Sequence, residues 1–274
     1  MGAGNDDYKP LQFDDGYVTA LRSWGDPVAA QPVLLLHGLL SHSGTLEGLG
    51  RSLAERASVT CFAYDRRGAG TCLEGRGDSP GLERSVEDVI QAARTIGRGR
   101  PVHLFGWCGS FGFAAHAAAR APDLFSTFTL LAPFFAWCDG PIPVAAVKKF
   151  FARAEGKPTD ELIEGPDFWP FLVDEPARAE LARDERILRK ITPRLPDLFL
   201  EAAIAGAALV PQIKAPKTVM IATGDQIIDS TKSRPVAEGL FGAENVIDVA
   251  GPHATWHGAG AEIADIFART ALRS

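Results

Sequence analysis

The segment His103–Phe113 reads HLFGWCGSFGF and contains a single cysteine between small residues. It continues the apolar run Val102–Phe105, and it places Gly106 two positions before Cys108 and Ser110 two positions after it. Small residues at these two positions are typical of a strand that turns sharply into a helix, because the backbone at the apex is strained and its neighbours are crowded. The pattern predicts a nucleophile at Cys108, and a buried structural cysteine is the alternative.

Strand-like and helix-like stretches alternate on both sides of this segment. Apolar or alternating runs predict strands at residues 17–24, 32–36, 59–64, 102–105, 128–131, 217–222 and 245–250. Helical spacing of apolar residues predicts helices at 45–56, 85–96, 114–121 and 261–271. Strands alternating with helices of this length indicate an α/β fold with a mostly parallel sheet and helices on both of its faces.

The alternation stops near Cys138 and resumes only at Lys217. The intervening chain reads as helices and turns without a convincing strand. We therefore expect a core formed by 1–138 and 211–274, and a helical lid at 139–210 over the carboxyl ends of the strands, where open α/β sheets place their sites. A second packing domain without a functional role is the alternative.

Composition narrows the possible partners. The chain has 274 residues and a formal net charge of -6, which argues against a nucleic-acid partner because such proteins carry a basic face. The longest apolar run, near 128–137, is far shorter than the roughly 20 residues that span a bilayer, and the amino terminus has no signal-like pattern. We expect a cytoplasmic protein without a membrane span. No pattern predicts the oligomeric state.

The four cysteines are widely spaced and form no Cys-x-x-Cys pair. This spacing indicates neither a disulfide framework nor a structural zinc site. We expect no metal and no cofactor.

A second element of a candidate site is His37-Gly38-Leu39-Leu40, directly after the apolar strand at 32–36. An acyl-transfer site needs two backbone N–H groups that point to the place where an oxyanion forms. Leu39 in this loop and Gly109 after the apex residue are the predicted donors. His37 is predicted to hold the loop by hydrogen bonds rather than to act as a base.

Two further loops supply an acid and a histidine. Asp225 follows the strand at 217–222, with Asp229 as a competing acid that could equally cap the next helix. His253 follows the strand at 245–250 and lies nearer the strand end than its alternative, His257. The chain order of nucleophile, acid and histidine is that of α/β-hydrolases.

Four stretches resemble the α/β-hydrolase superfamily, and more narrowly its monoglyceride lipase, lysophospholipase and serine-aminopeptidase-like group. They are HGLLSHSGTLEGLGRSLAE (37–55), YDRRGAGTCLEGRGD (64–78), TGDQIIDS (223–230) and AGPHATWH (250–257). The resemblance covers the sheet on both sides of the insertion. It implies an α/β-hydrolase fold with a catalytic triad of Cys108, His253 and Asp225 and an oxyanion hole of Leu39 and Gly109.

The sequence departs from that group at the apex, where Cys108 replaces the nucleophilic serine. A cysteine there resembles dienelactone hydrolases and polyhydroxyalkanoate synthases, which act on a lactone and on acyl thioesters. A thiol paired with histidine ionises more readily than serine and attacks carbonyls well. The resemblance therefore implies an acyl-transfer enzyme, an ester, lactone or thioester hydrolase or acyltransferase, that forms an acyl-cysteine intermediate.

The predicted substrate is a small acyl compound, free or linked to a carrier or to coenzyme A. Aromatic side chains near the elbow and in the insertion are the predicted acyl pocket, and packing of the lid is their alternative role. These residues are Trp107, Phe134, Trp137, Phe168, Trp169 and Phe171. Two other functions stay open: a lyase or cyclase without an acyl-enzyme, and a catalytically disabled homologue that only binds a ligand.

Overall fold

The structure is a computed structural model that describes residues 8–26, 31–135, 141–166, 168, 172–173 and 177–272, with the side chains of 141–147 excepted. Its strands are β1 (Tyr8–Gln12), β2 (Val18–Trp24), β3 (Pro32–Leu36), β4 (Thr60–Tyr64), β5 (Val102–Trp107), β6 (Phe125–Leu131), β7 (Ile163–Glu164), β8 (Lys190–Ile191), β9 (Lys217–Ala222) and β10 (Val246–Val249). Its helices are α1 (Glu47–Ala57), α2 (Leu82–Gly97), α3 (Phe111–Arg120), α4 (Pro141–Ala154), α5 (Ala177–Arg183), α6 (Arg194–Leu209), α7 (Ser230–Phe241) and α8 (Trp256–Ala271).

Eight strands form one sheet in the order β1-β2-β4-β3-β5-β6-β9-β10. From β4 to β10 in that order all neighbours are parallel, whereas β1 and β2 pair antiparallel at one edge. Every residue of β3 and of β5 is buried, as expected of central strands that helices cover on both faces. The predicted α/β fold with a mostly parallel sheet is confirmed.

The first strand was not predicted from the sequence. Only Leu11 of Tyr8–Gln12 is buried, so this edge strand carries neither an apolar run nor a clear alternation. The predicted closing helix starts five residues earlier, at Trp256, and the predicted helix at 114–121 starts at Phe111, directly after the turn that contains Cys108.

The segment between β6 and β9 contains α4, α5 and α6. It also contains β7 and β8, an antiparallel pair of two-residue strands that is too short to give a strand period in the sequence. Backbone hydrogen bonds join the segment to the sheet loops, from Leu188 N–H to Leu40 O (3.0 Å) and from Ala254 N–H to Leu172 O (2.8 Å). Its role as a lid stays a prediction.

Helix α6 packs closely on α3 behind the elbow. A Cβ at Gly112 would lie 2.4 Å from the carbonyl carbon of Ala202, so only glycine permits this approach. The stretch Arg194–Gln212, which includes α6, is long and apolar enough to cross a membrane by length and composition alone. Its inner residues Leu195 and Phe199 are buried, which is also typical of a helix packed in a protein core.

Candidate active site

The predicted strand–turn–helix is present at Cys108. This residue follows β5 directly and has a φ of +58°, in the left-handed region that only a few non-glycine residues adopt. Holding such a residue there costs on the order of 1–3 kcal/mol, which the surrounding packing must offset. Gly38 lies close by: a Cβ on it would be 3.3 Å from the Cβ of Cys108. The strained turn presents the Cys108 side chain, which is partly exposed, to the loop that follows β3.

Ser110 stabilises the turn where a third glycine would fit the usual pattern. Its buried Oγ accepts a hydrogen bond from Trp107 N–H (2.9 Å). The hydroxyl hydrogen can be donated to the carbonyl of Leu36 (3.0 Å) or to that of Trp107 (2.8 Å). The serine therefore connects the end of β3 to the elbow on β5, and it is not a sign of a damaged turn.

Asp225 and His253 meet beside the elbow. Oδ2 of Asp225 lies 2.6 Å from Nδ1 of His253, and both side chains are buried. Oδ1 of Asp225 accepts from the N–H groups of Ile227 (2.8 Å) and Ile228 (2.9 Å), which fixes the carboxylate. Because Asp225 occupies Nδ1, Nε2 is the ring nitrogen of His253 that is left to interact with the Cys108 side chain.

The electrostatics of this pair favour a protonated imidazole. Burial alone would lower the pKa of His253, but the charges of Asp225 and Cys108 outweigh burial and raise this pKa to about 10. The positive charge of the His253 imidazolium therefore favours negative charge on the neighbouring sulfur of Cys108. This charge arrangement suits nucleophilic catalysis by sulfur.

The competing acid and histidine lie elsewhere. Asp229 caps α7, because its Oδ1 accepts from Thr231 N–H (3.0 Å) and Lys232 N–H (3.1 Å). His257 is exposed on the first turn of α8, where its ring stacks on that of Trp256. Neither residue takes part in the Asp225–His253 pair.

Trp107 holds the histidine loop in place. Its Nε1 donates to the backbone carbonyl of His253 (3.1 Å), and its ring centroid lies 5.2 Å from that of His253 and 4.7 Å from that of Trp256. Trp107 also lines the cavity above Cys108. The predicted substrate-binding residue thus also positions His253.

His37 holds the loop after β3 by hydrogen bonds, as predicted. Its Nε2 accepts from Arg66 N–H (3.0 Å), so Nδ1 carries the hydrogen and donates to Gly38 O (3.0 Å). Burial holds the pKa of His37 well below its usual value, which keeps the ring neutral. Leu39 N–H donates to no acceptor among the described residues. Gly109 N–H, in the first turn of a 3-10 helix, has no acceptor within that helix.

A cavity of about 170 Å³ opens above Cys108. Of the predicted aromatic residues, Trp107, Phe134 and Phe168 line it, whereas Trp137, Trp169 and Phe171 lie outside the described residues. Both predicted oxyanion donors, Leu39 and Gly109, also line it. Further apolar residues missed by the sequence reasoning are Phe150, Phe151, Leu172, Phe199, Leu200, Ile227 and Ile228.

The charge inside the cavity is low. Among its described lining residues there is no lysine or arginine, and the ionisable side chains are Cys108, His253 and Asp197, which is exposed. Of the part of the chain that the structure describes, no group of three His, Cys, Asp or Glu side chains could hold a metal ion. The cavity is thus chemically suited to a neutral, apolar group.

The sheet order, the strained elbow and the loops around it define an α/β-hydrolase. The sequence profile of a family described as serine aminopeptidase, S33, matches residues 28–250, and the chain belongs to this family. The predicted superfamily and the serine-aminopeptidase-like resemblance are thereby confirmed.

Individual relatives agree with this assignment. An uncharacterized abhydrolase domain-containing protein of Dictyostelium discoideum is 27% identical over 229 residues, or 79% of this chain, and the chain spans only 23% of that relative's length. Two solved structures share the fold. Monoacylglycerol lipase of Paleococcus ferrophilus has a TM-score of 0.75 at 20% identity, with 92% of this chain and 97% of that chain covered. Monoglyceride lipase of Saccharomyces cerevisiae has a TM-score of 0.73 at 16% identity, with 96% and 95% covered.

Proposed function

We propose that this protein is an acyl-transfer enzyme that forms a thioester between a substrate acyl group and Cys108. The observation that carries the proposal is the interaction of His253 with both Asp225 and Cys108 at the base of an apolar cavity. In this account Cys108 is the nucleophile, His253 the acid and base, and Asp225 the residue that orients the imidazole. Leu39 and Gly109 supply the oxyanion hole.

In the first half-reaction the proton of the Cys108 thiol resides on Nε2 of His253, and the sulfur attacks the acyl carbonyl carbon. A C–S bond forms and the carbonyl oxygen becomes an oxyanion, which accepts hydrogen bonds from Leu39 N–H and Gly109 N–H. When the tetrahedral intermediate collapses, the bond to the leaving alkoxide or thiolate breaks. The leaving group takes the proton from His253 Nε2, and the acyl group stays on Cys108.

In the second half-reaction a water molecule or another acceptor gives its proton to His253 Nε2 and attacks the thioester carbonyl. The C–S bond then breaks, and Cys108 leaves as the thiolate beside the imidazolium. With water the product is the carboxylic acid, and with an alcohol, thiol or amine it is a new ester, thioester or amide. A thioester intermediate is reactive toward all of these acceptors, so the same site supports hydrolysis and transfer.

The cavity indicates the class of acyl group. Its volume of about 170 Å³ is close to that of an engineered apolar cavity of ~150 Å³ that binds benzene. A neutral acyl group of roughly six carbon atoms is therefore the proposed size. The described lining has no lysine or arginine, and the imidazolium of His253 is already paired with Asp225. An acyl group with a terminal carboxylate would therefore lose its hydration without gaining a partner.

Alkylation tests this function directly. Cys61 and Cys72 are buried, and burial raises the pKa of both thiols, so iodoacetamide should react first at Cys108 among these three. The experiment uses a Cys138→Ser background and p-nitrophenyl and acyl-thioester substrates. Turnover should fall in proportion to alkylation of Cys108. Full turnover after stoichiometric alkylation of Cys108 would rule out its role as nucleophile.

The two other functions that the sequence left open give different results in the same experiment. A lyase or cyclase without an acyl-enzyme would transform its substrate while no acyl group appears on Cys108 in quenched samples. A disabled ligand-binding homologue would bind acyl compounds and release no p-nitrophenol. The thioesterase domain from the curacin biosynthetic pathway, which shares the fold with a TM-score of 0.66 at 16% identity, supports the choice of thioesters for the panel.

A further inference from the structure

Arg66 follows β4 and lies behind the loop His37–Leu40. Its Nη2 donates hydrogen bonds to two carbonyl oxygens of that loop, Gly38 O (3.0 Å) and Leu39 O (2.8 Å). Its backbone N–H donates to Nε2 of His37 (3.0 Å). One residue thus holds three consecutive positions of the loop that carries the candidate oxyanion donor.

The direction of these bonds determines where the loop N–H groups point. In a trans peptide the C=O and the following N–H point in opposite directions. Because the carbonyls of Gly38 and Leu39 are turned toward Arg66, the N–H groups of Leu39 and Leu40 are turned away from it. Gly38 and Leu39 line the cavity beside Cys108, whereas Arg66 is not among its lining residues.

The guanidinium of Arg66 is partly buried beside an aromatic ring. Among the described residues, no carboxylate forms an ion pair with its guanidinium, which instead lies 4.6 Å from the centroid of the Phe199 ring. Burial lowers the pKa of Arg66 to about 10, and electrostatic interactions with Tyr64 and Asp65, and then with Cys108, counteract that decrease. Arg66 therefore stays cationic at neutral pH and favours negative charge at the site.

Phe199 connects Arg66 to the second candidate donor. A Cβ on Gly109 would lie 2.5 Å from Cδ1 of Phe199, so the ring packs directly against the Gly109 backbone. The guanidinium thus binds the Leu39 loop by hydrogen bonds and contacts the residue that packs on Gly109. Both predicted donors of the oxyanion hole are held from the same side.

We propose that Arg66 is a positioning residue that aims the N–H groups of the Gly38–Leu40 loop at the developing oxyanion. The proposal rests on the acyl-transfer function proposed above, although its structural part can be tested without it. Arg66 does not touch the acyl group; it acts through the backbone of Gly38 and Leu39. A lysine in its place would keep the charge, but its side chain is one bond shorter, so Nζ would stop short of the position from which Nη2 reaches both carbonyls.

Two reactions of the same thiol separate positioning from other roles. Alkylation by iodoacetamide forms no oxyanion, whereas acylation by p-nitrophenyl hexanoate does. In Arg66→Met, the acylation rate constant of Cys108 should fall about 10²-fold, which is the scale for loss of an oxyanion donor. The alkylation rate constant should fall less than tenfold, the part due to lost charge. In Arg66→Lys, alkylation should recover and acylation should not.

Arg76 offers a matched control, because it lies in the same connection between β4 and α2 as Arg66. Arg76 also donates to two carbonyls, Gly70 O (2.7 Å) and Glu185 O (2.8 Å), but it does not contact the loop 37–40. Arg76→Met should keep both rate constants within about threefold of wild type, as expected for a change away from the site. Equal losses of acylation and alkylation in Arg66→Met, or unchanged acylation, would overturn the positioning role.

A structural measurement keeps the test independent of turnover. A crystal structure of Arg66→Met should show the Gly38–Leu39 peptide rotated or the loop displaced relative to wild type. An unchanged loop would refute the proposal even if no ester is hydrolysed. If wild-type protein forms no acyl adduct, the proposed function fails, and the loop structure still decides whether Arg66 orients these peptides.

Discussion

The carboxylate of Asp225 lies 2.6 Å from Nδ1 of His253, although the two residues are on loops after different strands and 28 positions apart. Those strands, β9 and β10, are parallel neighbours at one edge of the sheet, so their carboxyl ends bring the two loops together. Gly224 N–H donates to Gly251 O (2.9 Å) and joins the loops directly. The pair is therefore a consequence of the strand order.

Asp225→Asn tests the role of this pair. An amide cannot stabilise the imidazolium and can favour the wrong histidine tautomer, so kcat/KM for an ester should fall by about 10²–10⁴. The matched control is Asp229→Asn, since asparagine caps a helix as well as aspartate does, and its kcat/KM should stay within about twofold. Similar losses in both variants would show that Asp225 has no special role.

The raised pKa of His253 predicts a pH dependence of stability. The native state keeps its proton up to about pH 10, whereas the unfolded histidine loses it near pH 6.5. This contribution is complete below about pH 6.5 and is lost as the pH rises through the folded-state pKa, with a slope of at most about 1.4 kcal/mol per pH unit.

The measurement is the free energy of unfolding in urea between pH 6 and pH 10, for Cys108→Ala and for the double variant Cys108→Ala/His253→Gln, because the Cys108 thiol, from which His253 takes its proton in the proposed mechanism, would otherwise offset the titration of the histidine. The difference between the two proteins isolates His253 from the lysines and tyrosines that also titrate. It should decrease as the pH rises. A difference that is constant or increases would contradict the charge assignment at His253.

Ser110→Ala should destabilise the elbow. The substitution leaves the N–H of Trp107 without its present acceptor in a buried turn, which should lower the free energy of unfolding by about 1–3 kcal/mol. Ser23→Ala, at an exposed position of β2, should change it by less than about 0.5 kcal/mol. Urea denaturation measures both, and equal values would show that the Ser110 hydroxyl is dispensable for the turn.

The cavity predicts that kcat/KM for an ester depends on the length and the charge of its acyl group. Each methylene buried contributes about 0.8 kcal/mol, so kcat/KM should rise roughly tenfold from p-nitrophenyl butyrate to the hexanoate. The mono-p-nitrophenyl ester of succinic acid matches the butyrate in acyl length but adds a carboxylate. It should react at least about tenfold more slowly than the butyrate. Equal rates for all three esters would show that the acyl group does not enter this cavity.

Much of this arrangement could be predicted from the sequence because it depends on local patterns. Gly106 and Cys108 identify the elbow, and the positions of Asp225 and His253 after apolar strands place both residues at one edge of the sheet. The edge strand at Tyr8–Gln12 could not be predicted, since a strand with one buried side chain has no apolar period.

Other contacts depend on long-range packing and had no local signal. In the sequence, Arg66 is simply one of two adjacent arginines in a loop. Only the fold shows that its guanidinium donates hydrogen bonds to the carbonyls of Gly38 and Leu39. The same holds for Phe199 on α6, which reaches Gly109 across the elbow. Residues 227 and 228 could have been suspected, because they lie two and three positions after Asp225 in the same loop.

The most direct test of the central claim is intact-protein mass spectrometry of acid-quenched reactions with p-nitrophenyl hexanoate. The acyl-enzyme account predicts a mass increase of one hexanoyl group, located on Cys108 by peptide mapping and absent in Cys108→Ala. Continued ester turnover by Cys108→Ala, or a hexanoyl group on a residue other than Cys108, would contradict it.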